Sequence, residues 1–417
     1  MSSEPITVLH NRRIILGVTG SIAIYKAVDL ASKLTQAGAL VDVIMTASAQ
    51  RFVAPLTFAS VTGRPVYTTM WATDAGALPT HIAHVGLGEG ADLLVIAPIT
   101  AHTIARLAHG LADDLLAVTA LAARCPVLIA PAMDGGMYAH PATQDNLATL
   151  RARGVIVIEP EEGRFASGLI GKGRLPETHT LMGHIRRALG RGGALAGQRV
   201  IVTAGGTREP LDPVRVLANR SSGKQGYALA QAALDAGADV TLISTVSVLP
   251  VPVGATFVVV ETAAQMLDAV LQHLSGADAL LMAAAVADYR PSAVAAHKLK
   301  KTDQTAKTRT LTLVRTPDIL SEVRDQRART GWPRVVVGFA AESEDLLRNA
   351  QEKLQRKGLD LIVANDITAP DAGFAVDTNR VTLLDAQGGV EPLEPASKAR
   401  VAEQVIARVA RLLEKRG

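Results

Sequence analysis

Two histidines and one carboxylate in the N-terminal half have side chains suited to proton transfer. His81 and His84 lie in Thr-His-Ile-Ala-His-Val-Gly-Leu, ahead of a long apolar run, and Asp134 follows Pro-Ala-Met. An imidazole changes its charge near neutral pH, so a histidine beside a substrate can act as a general base. Without further signals, a histidine in such a segment is better interpreted as part of a surface loop.

A second group of residues could hold a phosphate. The apolar segment 14–17 runs into Thr19, Gly20 and Ser21, where Ser21 can cap a helix. Exposed backbone N–H groups at a helix start favour phosphate. The glycine spacing is not Gly-x-Gly-x-x-Gly, and the next apolar segment ends at Thr46 without an acidic residue to hold an adenosine ribose. The pattern disfavours NAD and leaves room for a mononucleotide.

The C-terminal half has its own groups suited to phosphate chemistry. Residues 203–215 combine glycines, hydroxyls and arginines behind an apolar segment. Asn219 then precedes Ser221, Ser222 and Gly223, which can present hydroxyls and N–H groups at a new helix start. By composition alone these segments are an ordinary loop and an ordinary helix cap.

Two sets of lysines follow. Lys298 begins the sequence Lys-Leu-Lys-Lys, and Lys353 and Lys357 are four residues apart, so they share one face of a helix. A run of charges is usually a solvated surface. Here the first set follows a predicted strand end, where a doubly wound fold would place a ligand.

Two series of strand-like segments must position these residues. Near-continuous apolar strands are typical of a parallel sheet covered on both faces. The predicted strands are residues 14–17, 41–45, 93–97, 127–130 and 155–158 in the first series, and 199–204, 240–244, 279–284, 335–338, 361–364 and 381–385 in the second.

This pattern predicts an α/β fold with two Rossmann-like, doubly wound domains that bind ligands at the carboxyl ends of their strands. The basic, glycine-rich stretch 186–197 is the expected linker. The expected domains are therefore residues 1–190 and 191–417.

Composition narrows the class of protein. A chain of 417 residues is too long for one ordinary domain, and a net charge of +4 gives no case for a nucleic-acid partner. The single cysteine, Cys125, excludes an internal disulfide framework, fits a reducing cytoplasm, and is expected to be a buried, inert thiol. We find neither a signal peptide nor an apolar segment of the roughly 20 residues that span a membrane, and expect a cytoplasmic protein without a membrane partner.

The order of four N-terminal motifs resembles the flavin-dependent cysteine decarboxylase family. The family's His-x-x-Leu, Ala-Pro-x-Thr-Ala, Gly-x-Ala-Asn-Asp-Leu-Leu and Pro-x-Met-Asn-x-x-Met-Trp correspond to residues 84–87, 97–101, 110–116 and 131–138. The resemblance implies FMN as cofactor and selects His84 over His81 as the base for the cysteinyl group. The implied reaction moves a hydride from the carbon bearing sulfur to the flavin, and the β-thioxo acid then loses CO₂. The residues implied to bind FMN are Gly17, Thr19, Gly20, Ser21, Thr46, Pro98, Thr100 and Met133.

The chain departs from this family at two residues with implied catalytic roles. Asp134 replaces an asparagine expected to hold the substrate carboxylate, and two like charges about 4 Å apart cost about 4 kcal/mol at an effective dielectric of 20. A neutral Asp134 could share its proton with the substrate carboxylate, but this hydrogen bond would stabilise the contact by only about 1.5–3 kcal/mol. Ser167 replaces the proton-donating cysteine of a mobile flap, and a hydroxyl is a far weaker acid than a thiol. The flap glycines Gly168, Gly171 and Gly173 are retained, which favours a working variant.

The C-terminal half resembles the phosphopantothenate–cysteine ligase family, and both halves together resemble the bifunctional proteins of coenzyme A biosynthesis. The resemblance implies CTP as co-substrate with Mg²⁺, and an acyl-cytidylate of 4'-phosphopantothenate that the amine of cysteine attacks. Asn219 is implied to handle the acyl-cytidylate and Lys298 to contact the activated phosphate. The residues implied to bind CTP are Met282, Ala283, Ala284, Asp288, Lys298, Pro317, Asp318, Ile319, Leu320, Phe339, Lys353 and Lys357.

Three interpretations follow. In the first, both activities are present, and the family implies trimeric flavin domains and dimeric ligase domains in a homo-oligomer, up to a dodecamer. In the second, the ligase works but the flavin domain no longer completes decarboxylation, because of Asp134 and Ser167. In the third, the chain is a flavin- or nucleotide-binding scaffold without catalysis.

Overall fold

The chain forms two units, Met1–Leu189 and Gly190–Gly417, in a computed structural model that describes residues 6–71, 83–164, 168, 170–300, 310–342, 345–366 and 378–416. The strands of unit 1 are β1 (Arg13–Val18), β2 (Leu40–Met45), β3 (Val66–Tyr67), β4 (Leu93–Ile99), β5 (Val127–Pro131), β6 (Ile156–Val157), β7 (Glu161–Arg164) and β8 (Ile170–Arg174). Its helices are α1 (Ile24–Gln36), α2 (Pro55–Thr62), α3 (Ala83–Gly90), α4 (Ala101–His109), α5 (Leu115–Ala122), α6 (Gly135–Ala139), α7 (Pro141–Ala152) and α8 (Thr178–Gly190).

The main sheet of unit 1 has six parallel strands in the order β3-β2-β1-β4-β5-β6. All seven residues of β4 are buried, since helices cover both faces of the sheet. The order of strands reverses between β1 and β4. That reversal is the switch point at which doubly wound folds bind ligands.

The structure corrects the predicted linker at residues 186–197. The first part of that stretch is the end of α8, whose residues Leu181, Ile185 and Ala188 are buried in the core of unit 1. Their spacing of four and three residues places them on one helical face. The apolar periodicity of this helix therefore outweighs the basic and glycine-rich composition that suggested a linker.

Unit 2 repeats the doubly wound plan with a longer sheet. Its strands are β9 (Arg199–Ala204), β10 (Arg208–Pro210), β11 (Val216–Ala218), β12 (Asp239–Ser244), β13 (Thr256–Val259), β14 (Ala279–Met282), β15 (Tyr289–Pro291), β16 (Leu313–Arg315), β17 (Val335–Glu342), β18 (Leu361–Asp366), β19 (Thr378–Asn379), β20 (Val381–Asp385), β21 (Val390–Pro392) and β22 (Ala396–Ser397). Its helices are α9 (Lys224–Asp235), α10 (Ala263–Leu274), α11 (Ile319–Thr330), α12 (Leu346–Lys357) and α13 (Lys398–Glu414).

The eight strands of this sheet have the order β13-β12-β9-β14-β17-β18-β20-β21, parallel as far as β18 and antiparallel after it. The switch point lies between β9 and β14. Short antiparallel pairs, β10 with β11 and β15 with β16, follow these two strands. The predicted α/β class with two doubly wound sheets is confirmed.

Two further expectations concern single features. No helix in the described part of the chain is long and apolar enough to cross a membrane. Cys125 is half-buried rather than fully enclosed, and burial raises the pKa of its thiol, in keeping with an inert residue.

Candidate functional sites at the two switch points

Thr19 joins the ends of β1 and β4 in unit 1. Its backbone N–H donates to the carbonyl of Pro98 at 3.3 Å, and its hydroxyl donates to the same carbonyl at 2.9 Å. The N–H of Thr100 donates to the Thr19 hydroxyl at 3.1 Å, and the N–H of Thr46 donates to the carbonyl of Val18 at 3.1 Å. These bonds bring four of the predicted flavin residues to one edge of the sheet.

The turn after β1 has the features of a phosphate cradle. A Cβ on Gly20 would lie 2.6 Å from the Cβ of Ser48, so the chain passes too closely there for a side chain. The hydroxyl oxygens of Ser21 and Thr46 accept hydrogen bonds from backbone N–H groups at 3.3 Å, which leaves each hydroxyl proton able to donate to a ligand. The N–H groups of Ser21 and Ile24 are bonded within the turn, so the two hydroxyls are the donors that it offers. With the close approach at Gly20, the residues present fit the phosphate of FMN.

Two other predicted flavin residues are placed differently. A Cβ on Gly17 would lie 2.5 Å from a methyl carbon of Leu116, so the approach of α5 to the sheet accounts for this glycine. Packing thus gives Gly17 a structural reason of its own, and its contact with the cofactor stays a prediction. Met133 is half-buried just beyond β5, where its N–H donates to the carbonyl of Gly173 at 3.0 Å.

His84 lies in the first turn of α3 and is half-buried. Helix α3 ends at Gly90, whose Cα faces the side chain of Arg13 at the start of β1. His84 lies at the opposite end of α3 from this contact. His81 and the flap residue Ser167 lie outside the described residues.

Asp134 caps the short helix α6, and its carboxylate accepts a hydrogen bond from the N–H of Gly136 at 3.0 Å. It lines a cleft of about 730 Å³ between α6, α7 and β8. Small-molecule sites typically have volumes of about 300–1,000 Å³. The carboxylate predicted to meet the substrate thus lies in a cavity large enough for one.

Another part of this cleft holds a charged cluster that the sequence did not predict. Glu159 accepts hydrogen bonds from the hydroxyl of Tyr138 at 2.9 Å, from the ammonium of Lys172 at 2.7 Å and from the guanidinium of Arg151. The Lys172 ammonium also lies 5.8 Å from the centre of the Tyr138 ring. In the sequence, only Tyr138 pointed to this cluster, because it stands where the family motif has tryptophan.

The pKa shifts in this cluster keep Glu159 and Lys172 ionised and Tyr138 neutral. Burial raises the pKa of Glu159, but the hydrogen bonds from Lys172 and Tyr138 outweigh burial and lower that pKa below its ordinary value. The hydrogen bond to Glu159 raises the pKa of Lys172. Burial, and then Glu159, raises the pKa of Tyr138. At neutral pH the cluster therefore carries two cations and one carboxylate.

In unit 2, Asn219 meets the loop that follows β14. Its side-chain amide donates to the carbonyl of Val286 at 3.1 Å. In the same loop, the N–H of Ala287 donates to the hydroxyl of Thr207 at 2.9 Å, and the N–H of Ala284 donates to the hydroxyl of Thr203 at 3.2 Å. The switch point of unit 2 thus brings together the ends of β9 and β14 and the segment ahead of α9.

The side chain of Lys298 is exposed. The loop that carries it is fixed by two hydrogen bonds to the next residue, Leu299. The carboxylate of Asp212 accepts a hydrogen bond from the N–H of Leu299 at 3.0 Å, and the guanidinium of Arg215 donates to the Leu299 carbonyl at 2.6 Å. Arg215 in turn pairs with Asp212 at 2.6 Å. The sequence suggested arginines for phosphate here, but Arg215 also fixes the lysine loop.

A third segment joins this site through Thr316. Its N–H donates to the carbonyl of Asp288 at 3.0 Å, and its hydroxyl donates to the carbonyl of Ala287 at 2.5 Å. Two residues later, Asp318 caps α11 and forms an ion pair with Lys357. The exposed Asp288 is therefore close to the predicted nucleotide residues of α11.

The remaining predicted CTP residues lie on the neighbouring elements. Lys353 points from α12 to β17, where its ammonium donates to the carbonyl of Phe339 at 2.8 Å. Met282 and Ile319 are buried, whereas Ala283, Ala284, Pro317 and Leu320 are half-buried. Across the described ranges, no group of three or more His, Cys, Asp or Glu side chains could hold a metal ion.

Two family models match the chain. The model described as "Flavoprotein" matches residues 2–190, and the model described as "DNA/pantothenate metabolism flavoprotein C-terminal domain" matches residues 195–413. The second match alone covers more than half of the chain.

Curated relatives match along almost the whole length. The coenzyme A biosynthesis bifunctional protein CoaBC of Bacillus subtilis is 46% identical over 412 residues, which cover 98% of this chain and 99% of the relative. The protein of the same name from Mycolicibacterium smegmatis is 47% identical over 414 residues, covering 97% and 98% of the two chains.

Solved structures match the units separately. The crystal structure of the C-terminal domain of CoaBC is 38% identical, with a TM-score of 0.45, and the match covers 54% of this chain and 99% of that domain. The FMN-dependent cysteine decarboxylase SpaF is 34% identical, with a TM-score of 0.38, and covers 43% and 97%.

Proposed function

The chain belongs to the family of bifunctional coenzyme A biosynthesis proteins, and from this membership we propose how its residues divide the chemistry. It is an enzyme with a ligase and a flavin-dependent decarboxylase activity. We assign decarboxylation to residues 1–190 and ligation to residues 191–417, which the two family-model matches support. The observation that supports the assignment is that each unit has its own doubly wound sheet with predicted site residues at its switch point, Thr19 and Thr100 in unit 1 and Asn219 and Ala284 in unit 2.

In the ligase, CTP activates 4'-phosphopantothenate. The substrate carboxylate attacks the α-phosphate of CTP, pyrophosphate leaves, and the amine of cysteine displaces CMP from the acyl-cytidylate. Lys298, held beside the Asp212–Leu299 contact, neutralises charge on the reacting phosphate. Lys353 and Lys357 contact the nucleotide from α12, and Asn219 positions the acyl-cytidylate beside the loop that it already holds.

We propose no binding site for Mg²⁺ that consists of protein side chains alone. This ion usually keeps several waters and binds one or two carboxylates together with substrate phosphates. We propose that it enters with CTP and that Asp288, an exposed carboxylate in the loop after β14, binds it there.

In the decarboxylase, the turn at Thr19, Gly20 and Ser21 holds the phosphate of FMN with the hydroxyl of Thr46. Bound FMN supplies an acceptor for the hydride that leaves the carbon bearing sulfur. His84 takes the proton of the cysteinyl group, and Asp134 orients the substrate carboxylate in the cleft. Release of CO₂ follows because the remaining electron pair delocalises onto sulfur. The resulting enethiol is two hydrogens short of 4'-phosphopantetheine, so a final reduction would return the hydride from the flavin together with a proton.

The assembly and compartment are part of the proposal. Large apolar side chains are exposed on both units, among them Ile22, Tyr25 and Leu56 in unit 1 and Val216 and Leu217 in unit 2. We propose that they are covered in trimers of unit 1 and dimers of unit 2, and that the homo-oligomer works in the cytoplasm. Sedimentation analysis of the full chain would contradict this assembly if it found a monomer.

Mass spectrometry of products tests the function. The purified chain is mixed with 4'-phosphopantothenate, cysteine, CTP and Mg²⁺. We expect 4'-phosphopantetheine, which requires both activities. Accumulated phosphopantothenoylcysteine would mean that the flavin unit does not complete its reaction, and a decarboxylated product two hydrogens lighter would mean that the final reduction fails without the flap thiol. Absence of any CTP-dependent product would contradict the ligase assignment.

A further inference from the structure

The cationic part of the cleft in unit 1 is built differently from an ordinary surface ion pair. Lys172 and Arg151 come from separate elements, β8 and α7, and both converge on Glu159. Their side chains remain 45% and 40% exposed, so both are accessible from the cleft that they line. Exposed ion pairs contribute only about 0–1 kcal/mol to stability, so a purely structural role gives little reason for this arrangement.

Charge and geometry favour an anion at this position. Two cations share one carboxylate, which leaves an excess of one positive charge. An ammonium has three donors and a guanidinium five, and their contacts with Glu159 use only part of that capacity. Glu159 holds both groups in place before a ligand arrives, so less side-chain entropy is lost when the ligand binds.

The same cleft contains Asp134, which is assigned to the carboxylate of the cysteinyl group. The glycines Gly135, Gly136 and Gly171 line the cleft as well and keep it open. A substrate with a carboxylate at one end and a phosphate at the other would place its phosphate against the two cations of this cavity while its carboxylate lies near Asp134.

We propose that Lys172 and Arg151, oriented by Glu159, bind the 4'-phosphate of phosphopantothenoylcysteine and give the decarboxylase its preference for the phosphorylated substrate. This inference rests on the proposed decarboxylation by unit 1. It assigns Lys172 and Arg151 to specificity and makes Glu159 a positioning residue.

The test compares two substrates that differ only in the phosphate. For the full-length flavin-loaded protein, kcat/KM is measured with phosphopantothenoylcysteine and with pantothenoylcysteine, in the wild type and in Lys172→Gln and Arg151→Gln. We expect each substitution to lower kcat/KM for the phosphorylated substrate by about tenfold or more and to leave the other substrate nearly unchanged, since a charge-assisted hydrogen bond is lost only with the phosphate present. Lys172→Arg is expected to restore most of the preference.

The chain offers matched controls. Lys33→Gln removes a lysine paired with Asp29 at 3.8 Å, and Arg124→Gln removes an arginine paired with Glu89 at 2.8 Å, both on the exposed surface of unit 1. Both controls should keep the wild-type preference. A wild type without preference, or variants that lose activity equally on both substrates, would overturn the inference.

A binding measurement separates this inference from the proposed reaction. Titration of each compound, followed through the absorbance of the bound flavin, reports on unit 1 even where turnover is absent. Tighter binding of the phosphorylated compound that Lys172→Gln abolishes would support the phosphate site even if no CO₂ were released. If all variants turned over both compounds and bound them with equal affinity, the phosphate site would be ruled out but the proposed decarboxylase would stand.

Discussion

The side-chain amide of Asn219 donates a hydrogen bond to the carbonyl of Val286 at 3.1 Å, and this contact connects the segment ahead of α9 to the loop after β14. The two segments are 67 residues apart in the chain but meet because β9 and β14 are neighbours in the sheet. Asn219 can therefore act both on the acyl-cytidylate and on the loop that carries Asp288.

Asn219→Ala should slow the second half of ligation more than the first. The loss of one amide removes a contact to the intermediate, so we expect the acyl-cytidylate to accumulate and overall ligation to fall by at least about tenfold. Quenched-flow mass spectrometry of the cytidylate measures this directly. Gln231→Ala, whose amide donates to Asp235 within α9 at 2.9 Å, is the control and should leave both steps unchanged. Equal slowing of both steps by Asn219→Ala would contradict the role.

Strand ends were predictable because buried parallel strands have long apolar runs that alternate with helices. The register of β1 with β4, and of β9 with β14, then brings distant polar residues such as Thr19 and Thr100 to one edge. The short strand β3 has only two residues and gives no periodicity to detect, whereas β6, also of two residues, lies within the predicted segment 155–158.

The cluster around Glu159 could not be predicted for another reason. Arg151 lies in α7, Glu159 in the loop between β6 and β7, and Lys172 in β8, and all three are ordinary surface residue types. Only the packing of α6 against α7 and β8 brings them together with Tyr138. Periodicity reports on burial along one element, whereas charge pairing between elements depends on tertiary structure.

Protonation of Asp212 should lower the stability of unit 2 at low pH. Burial raises its pKa, but hydrogen bonds from Leu299, Arg215 and Val214 outweigh burial and hold the pKa well below its ordinary value. Above about pH 5 the carboxylate is ionised in both the folded and the unfolded chain, so its contribution to the free energy of unfolding is complete. As the pH falls further, the unfolded chain binds the proton first and the contribution is lost.

The difference in unfolding free energy between wild type and Asp212→Asn should therefore be constant from pH 5 to 8 and shrink below about pH 4. Trp332 is the only tryptophan of unit 2, so urea unfolding in a Trp71→Phe background can be followed by its fluorescence. Asp325→Asn, an exposed aspartate paired only with its neighbour Arg324 in the described structure, is the control. A difference that grows on acidification would contradict the assignment.

Asp134→Asn should improve decarboxylation. The amide keeps the cap of α6, since Asn and Asp are about equal as N-caps. It also removes the negative charge that would repel the substrate carboxylate. We expect a rise in kcat/KM of about tenfold with unchanged thermal stability. Asp134→Ala loses the cap as well, at about 1 kcal/mol, and should lower both stability and activity. Loss of activity in Asp134→Asn would show that the carboxylate itself is needed.

Gly20→Ala should remove the flavin without removing the ligase. The added Cβ would lie 2.6 Å from the Cβ of Ser48, so the turn that cradles the phosphate must open. Since the ligase residues lie in the other unit, CTP-dependent formation of phosphopantothenoylcysteine should persist while flavin absorbance and decarboxylation are lost. Gly192→Ala is the matched control, because a Cβ there meets nothing within 4 Å. Absorbance per protein chain and the two product masses give the result in one preparation. Full flavin content in Gly20→Ala would show that the cofactor phosphate lies elsewhere.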